Sequence, residues 1–175
     1  LETAAGGLVS VAMLRELGPT ITGLMLAGRV GSAMAAEIGT MKVTEQIDAL
    51  RSMAVNPVDY LVTPRFLAML ISVPLLIAES AALGMVASYI VGVGVFHVES
   101  AYWLDNMKNY VDLTDPTIAL TKGLFFGVLI VIISCDQGMK ARNGAVGVGR
   151  GTTRAMVYSS LAILVVNFFL TLIMQ

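Results

Sequence analysis

The sequence contains one cysteine, Cys135, and one histidine, His97, in 175 residues. A single cysteine excludes a disulfide framework and a cysteine zinc site. A single histidine excludes a histidine-rich metal site. Charge is scarce too. Asp, Glu, Lys and Arg make up 13% of the chain, against about 25% in an average soluble domain. The formal net charge is −1, so no basic surface for a nucleic-acid backbone is implied. No Ser/His/Asp set is available, because His97 stands alone, and no HExxH or Walker A pattern occurs. Apolar residues are what the chain has: 57% of it, with a mean hydropathy of +0.82. So few charges cannot cover that much apolar surface in water. Disorder, a nucleic-acid-binding domain and an ordinary cytosolic enzyme are excluded, and the class is an all-α integral membrane protein. The eleven methionines show no ligand spacing and read as fillers of irregular apolar gaps. The first residue is Leu1 and no signal-peptide pattern follows, so the chain reads as a piece of a longer one whose start is missing.

A crossing helix needs about 20 mostly apolar residues. Ala155–Met174 supplies 20 without a charge, with Thr152 or Thr153 as cap. Thr117–Cys135 supplies 19 with one charge, Lys122, and Asp115-Pro116 opens it as an N-cap followed by proline. Phe66–Val98 is longer, with Glu79 as its one acidic residue, Thr63-Pro64 at its start and Pro74 inside, where a kink is expected. The first segment resumes after an interruption at Arg15-Glu16-Leu17-Gly18-Pro19. The expectation is a single domain over 1–175 with four crossings, about 5–39, 64–96, 116–135 and 153–174.

Lysine and arginine in the short loops orient the chain. Lys42, Arg51 and Arg65 lie in one loop and Lys140, Arg142, Arg150 and Arg154 in another, whereas 97–115 holds only Lys108 among four acidic residues. The seven-residue side is the expected cytoplasmic side, with Tyr102 and Trp103 at the outer interface. In the first of these loops, Thr44–Met53 reads as a short amphipathic helix capped by Thr44. Ile47, Leu50 and Met53 share one face, with Glu45, Asp48 and Arg51 elsewhere. In the second, GAVGVGRG at Gly144–Gly151 reads as a flexible or tightly packed connector rather than a phosphate cradle, since it lacks the Gly-Lys-Ser/Thr ending.

Two small-residue stripes mark the first helix. Gly23, Ala27, Gly31, Ala35 and Gly39 form one; Gly28, Ser32 and Ala36 form the other. Such spacing lets a second helix backbone approach closely. Packing within the chain accounts for at least one stripe, and a homodimer seam is the other reading. Gly84, Ser88 and Gly92 form a similar stripe. Arg15, Glu16, Arg29, Glu37 and Glu79 are ionisable residues inside apolar segments. Each costs about 2.5–3.5 kcal/mol at a bilayer centre and therefore faces a partner or a cavity. For Arg29 the structural reading is a pair with Glu37 or Glu79. Arg15-Glu16 beside Gly18-Pro19 places charge at a helix break, as in transporter sites.

The run Leu14-Arg-Glu-Leu-Gly-Pro19, then AGRVGSAMAAEIGTMKVTEQIDAL from Ala27 to Leu50, then Asn56-Pro-Val-Asp-Tyr-Leu-Val-Thr-Pro-Arg65 and GVGRGTTRAMV at Gly147–Val157 resembles the MlaE/YrbE family of ABC-transporter permeases over essentially the whole chain. The resemblance implies a homodimeric permease of five crossings in the full chain and no enzymatic activity of its own. It implies a cytoplasmic ABC ATPase dimer carrying the ATP and magnesium, so no cofactor in this chain. It further implies a periplasmic ring of MCE-domain lipid-binding subunits, a small cytoplasmic accessory subunit, and phospholipid as the cargo, moved between the inner and outer membranes of a Gram-negative bacterium. The family's coupling helix falls on about 44–54, giving Glu45, Ile47, Asp48, Leu50 and Met53 as ATPase-coupling residues. Arg15, Glu16 and Arg150 match its charged lipid-site positions, and Gly23, Ala27, Gly31 and Ala35 serve helix packing. A secondary transporter of an amphipathic solute, using Glu16 or Glu37 as a proton site, is the alternative. A membrane-embedded lipid-modifying enzyme lacks any catalytic constellation.

Overall fold

The computed structural model describes residues 5–112 and 114–174, and the described residues are helical apart from short connections. Six helical segments follow one another: α1 (5–43), α2 (Gln46–Ser52), α3 (Val58–Gly94), α4 (Ser100–Tyr110), α5 (Thr114–Met139) and α6 (Gly144–Met174). Among the described residues, α3, α5 and α6 are each long and apolar enough to cross a membrane. α1 runs alongside them. Near its start Gly7 meets Tyr110, and near its end Gly39 meets Ala141 and Val148. It is continuous but carries two widened turns, Met13–Leu17 and Ala27–Gly31, in which the hydrogen-bond ladder reaches one residue further. Each widened turn holds one of the helix's interior arginines, Arg15 or Arg29.

α5 is the central helix. Of its most apolar stretch 56% is buried, against 22% in α3 and 11% in α6. Its small residues explain this. At Gly123 an added Cβ would sit 3.0 Å from the Pro74 Cα, and at Gly127 3.0 Å from the Met69 carbonyl, so α3 lies backbone to backbone against α5. Ala119, Gly123 and Gly127 thus form a packing stripe four residues apart, one that the apolar run around them obscures. On the opposite side the first stripe of α1 packs inward. Gly23 faces Phe126 and Ile163, Gly31 faces Ser134 and Ile130, and Ala27, Ala35 and Ile38 are buried with them. Gly28, on the second stripe, has no atom within 4 Å of an added Cβ. The Gly84–Gly92 stripe is also taken within the chain, by Met13 and Trp103.

Several boundaries differ from the sequence expectation. The last helix starts at Gly144, not 153. The glycine-rich run is therefore its first two turns rather than a connector. Gly147 is required there because a Cβ would collide with the Arg142 carbonyl. The reversal before it needs four residues, 140–143, with Asn143 and Gly144 both left-handed at φ 66° and 64°. The second helix runs Val58–Gly94 instead of 64–96, and the third runs Thr114–Met139 instead of 116–135. The first continues to Val43, past 39. Residues 100–110, expected as loop, form α4. Trp103 is buried there over Gly6 and Gly92 and is not an interfacial anchor. Proline 74 sits inside an uninterrupted α3.

The Arg65–Glu37 ion pair at 2.7 Å, α2 and the 140–143 reversal mark one end of the bundle, which carries the basic loops. α4 and both described chain ends mark the other.

Candidate functional site

The polar centre of the molecule is built at the first widened turn of α1. Pro19 has no N–H, so it cannot donate to the carbonyl of Arg15 four residues back. Gly18 reaches instead to the Met13 carbonyl, the bond of a widened turn, and a Cβ on Gly18 would lie 2.6 Å from that oxygen. The Arg15 carbonyl is left facing α5, and there the Lys122 Nζ donates to it at 2.7 Å. Lys122 is fully buried. It also donates to Glu16 Oε1 at 2.8 Å and to Thr171 Oγ1 of α6 at 2.8 Å. All three ammonium protons are used. Glu16 accepts further bonds from Thr171 Oγ1 (2.7 Å) and Asn167 Nδ2 (2.9 Å). One turn toward the α4 end, Arg15 Nε donates to Asp115 at 2.6 Å, and Asp115 is fully buried. Two cations and two carboxylates from α1 and α5, with Asn167 and Thr171 of α6, are thus closed into one neutral network, which is the condition for burying charge at tolerable cost.

This network forms one wall of a cavity of about 270 Å³. The remaining lining is apolar, from Leu8, Val11, Ile118 and Met174. Arg15 stays 36% exposed on its side chain and Glu16 40%. Among the described residues the two terminal nitrogens of Arg15 form no hydrogen bond. The arrangement offers a guanidinium edge, fixed at its Nε, to whatever enters the apolar cavity.

Of the expected site residues, Arg15 and Glu16 are brought together here, each held by its own partner. Arg150 is not. It lies at the basic end, in a separate cavity with Arg142 and Arg154. Lys122 and Asp115 were missed as site residues, since the first read as a stray charge and the second as a helix cap. Asp115 sits inside the first turn of α5 and reaches across to Arg15. The signal available was Lys122 itself, a lysine in the middle of an apolar crossing, which needs a counter-charge as much as Glu16 does. Thr171 and Asn167 carried no signal. Arg29 pairs with neither Glu37 nor Glu79: Glu37 is held by Arg65, and Arg29 and Glu79 are exposed.

The amphipathic helix α2 is shorter than the expected 44–54. Ile47 is fully buried in the core, and Leu50 packs against the same cluster. Of the apolar face expected to meet an ATPase, Ile47 and Leu50 pack on the chain's own core. Met53 is 65% exposed, and Glu45 and Asp48 are exposed with it. Thr44 does not cap α2. Its hydroxyl bonds back to the Thr40 carbonyl, and Glu45, left-handed at φ 62°, stands at the N-cap.

The sequence signature of the family described as Permease MlaE matches residues 1–173. The chain belongs to the MlaE permease family. A probable ABC transporter permease protein of Synechocystis is 44% identical over 172 residues, 98% of this chain and 65% of its own length. The intermembrane phospholipid transport system permease protein MlaE of Haemophilus influenzae is 41% identical over 174 residues, 99% of this chain and 67% of its own. The chloroplastic protein TRIGALACTOSYLDIACYLGLYCEROL 1 of Arabidopsis thaliana is 39% identical over 171 residues, 98% and 49% respectively. The MlaE-family chain spans about two thirds of the length of the first of these relatives. With its apolar helices and this membership, it is an integral membrane protein.

Proposed function

We propose that this chain is the membrane-embedded part of a permease subunit that moves phospholipid, driven by ATP hydrolysis on a partner ABC ATPase. It works as a homodimer in the bacterial inner membrane, beneath a periplasmic MCE-domain ring and with a small cytoplasmic accessory subunit. The name of the Haemophilus relative supports the cargo, and the names of the Synechocystis and Haemophilus relatives support the permease role. The basic loops make the α2 end cytoplasmic by the positive-inside rule. The half-buried Gly28 and Ser32 stripe, where a Cβ on Gly28 would meet no atom within 4 Å among the described residues, suits the seam with a second copy.

One observation carries the lipid reading. The Arg15 guanidinium is fixed at Nε by Asp115 while its outer edge opens on a cavity with apolar walls. A guanidinium edge matches two phosphate oxygens, and a low-dielectric surround strengthens the contact. The apolar walls suit acyl chains. Glu16 belongs to the scaffold: bound by Lys122, Thr171 and Asn167, it keeps the broken turn in place. Neither Glu16 nor Glu37, which Arg65 holds, is the free carboxylate that a proton carrier uses.

The test uses the full complex reconstituted in liposomes, with ATP-driven movement of labelled phospholipid and the amount of co-purifying phospholipid as readouts. Arg15→Glu is expected to lose both by about tenfold or more, while Arg15→Lys, which keeps the charge but not the fork, falls between it and wild type. Wild-type retention and transport in Arg15→Glu overturn the assignment.

A further inference from the structure

Two charges within the long apolar helices stand outside the Lys122 network. Arg29 on α1 and Glu79 on α3 are exposed, and among the described residues neither forms an ion pair. Each stands well inside its helix. Glu79 is 15 residues from the nearer end of α3, and Arg29 is 14 from the nearer end of α1, about 22 and 21 Å at 1.5 Å per residue. No side chain spans that distance to reach water at a helix end. A charge so placed faces a partner or a polar cavity rather than acyl chains.

The two charges border one face. Met25 and Leu26 line two adjoining hollows, of about 340 and 620 Å³. The first continues to Leu76 and Glu79 on α3, the second to Gly28 and Arg29 on α1. The ground around the charges is apolar and exposed, from Ile21 and Met25 to Leu76 and Leu83.

This pattern selects the occupant. An anionic headgroup would satisfy Arg29 and be repelled by Glu79, and acyl chains satisfy neither. A face that presents one cation and one carboxylate is complementary to itself. In a two-fold contact the same patch serves both sides. Arg29 of one protomer against Glu79 of the partner subunit therefore brings Glu79 of the first against Arg29 of the partner subunit. One contact neutralises four charges. Gly28 supplies the room: a Cβ there meets no atom within 4 Å among the described residues, and a small residue lets a second backbone come close.

We propose that Arg29 and Glu79 form reciprocal ion pairs across a two-fold seam between two copies of this chain. The inference rests on the homodimer reading above and adds which residues hold the copies together. The pairs supply between copies the neutralisation that Asp115 and Lys122 receive within one. Closed off from water, they are strong and only weakly sensitive to salt.

The test uses the full-length permease carrying either of two affinity tags, co-expressed and isolated from membranes through both tags in sequence. Arg29→Glu sets carboxylate against carboxylate at both pairs, and Glu79→Arg sets guanidinium against guanidinium. Each variant alone is expected to lose the doubly tagged dimer by about tenfold or more, because like charges at an interface are strongly unfavourable. Arg29→Glu in one copy with Glu79→Arg in the other restores opposite charges at both pairs, and the dimer should return to near the wild-type amount. Pairing within one chain, or with another protein, gives no such return. A mixed dimer no more abundant than either variant alone overturns the proposal, and so does a wild-type amount of dimer in Arg29→Glu. A second measurement avoids the reversed charges, in case they block insertion. With Cys135→Ser throughout, Arg29→Cys in one copy and Glu79→Cys in the other should be joined by a short bis-maleimide, and absence of that cross-link overturns the proposal. A wild type that yields no doubly tagged dimer overturns the homodimer reading and this inference with it, whereas a dimer that survives charge reversal removes the ion pairs alone.

Discussion

The two ends of the bundle handle charge in opposite ways. Near the α4 end, Arg15, Glu16, Asp115 and Lys122 are paired to neutrality, and the two most buried of them, Asp115 and Lys122, have their hydrogen-bonding groups engaged. At the basic end, Arg142, Arg150 and Arg154 surround a hollow with no carboxylate in its lining. The difference follows from depth. Asp115 and Lys122, buried among the helices, have no water to turn to, so the chain supplies their counter-charges. A charge at the belt's edge keeps water or a headgroup, so the chain leaves it open. Internal pairing identifies the first region as scaffold as well as site; lack of pairing identifies the second as a surface for something else.

The comparison breaks first at Lys122. Lys122→Met leaves Glu16 without its counter-ion and the Arg15 carbonyl without a donor. The buried-pair cost is 3–5 kcal/mol, and the 40% exposure of Glu16 puts the expectation at the lower end, about 3 kcal/mol. The fall in melting temperature in detergent measures it. Glu16→Gln combined with Lys122→Met should cost less than Lys122→Met alone, since no charge is then stranded. A double variant as damaged as the sum of the singles would show that the pair is not coupled.

At the basic end the same logic separates the faces of α2. Ile47→Asp puts a carboxylate into the core cluster and should cost several kcal/mol and most of the inserted protein. Met53→Asp, on the exposed face, should leave the amount of inserted protein unchanged. If Ile47→Asp inserts and melts like wild type yet uncouples ATP hydrolysis from transport, Ile47 meets a partner and not the core.

Much of the fold was legible in the sequence because the crossings are long apolar runs. The two small-residue stripes of α1 were equally visible, but periodicity cannot say which of two adjacent faces has a neighbour. That depends on Phe126, Ile130 and Ile163 of other helices. The start of α6 was hidden because four glycines in eight residues read as loop; only packing against Arg142 and Gln137 shows why they sit in a helix. The site was half legible. Arg15 and Glu16 stand at an obvious break, whereas Asp115 and Lys122 are 100 and 106 positions away from them in sequence. Pairing over such a distance is a product of topology, not of local pattern.

The stripes give a smaller test. Gly31→Leu forces a side chain into a space where even a Cβ would meet Ser134 Oγ at 2.9 Å, and overpacking of this kind costs about 1–3 kcal/mol. Gly28→Leu has open space and should leave the fold intact. A loss of the dimer fraction in Gly28→Leu, at unchanged monomer stability, would place the seam on that face.

The smallest expected effect on stability comes from the open arginines, and it sharpens the comparison most. Arg150→Gln with Arg154→Gln removes two charges that form no ion pair among the described residues. In a zwitterionic detergent the melting temperature should therefore not move, as for surface substitutions away from packing or pairing. It should even rise slightly at low salt, because like charges around one hollow repel. Adding an anionic detergent or lipid should stabilise wild type through binding to the folded state and leave the double variant unaffected. The contrast with Lys122→Met is then complete: one substitution is costly in every medium, the other only where an anion is present. A double variant that is strongly destabilised in zwitterionic detergent would mean that the arginines are paired within the protein after all, and the two ends would no longer differ in kind.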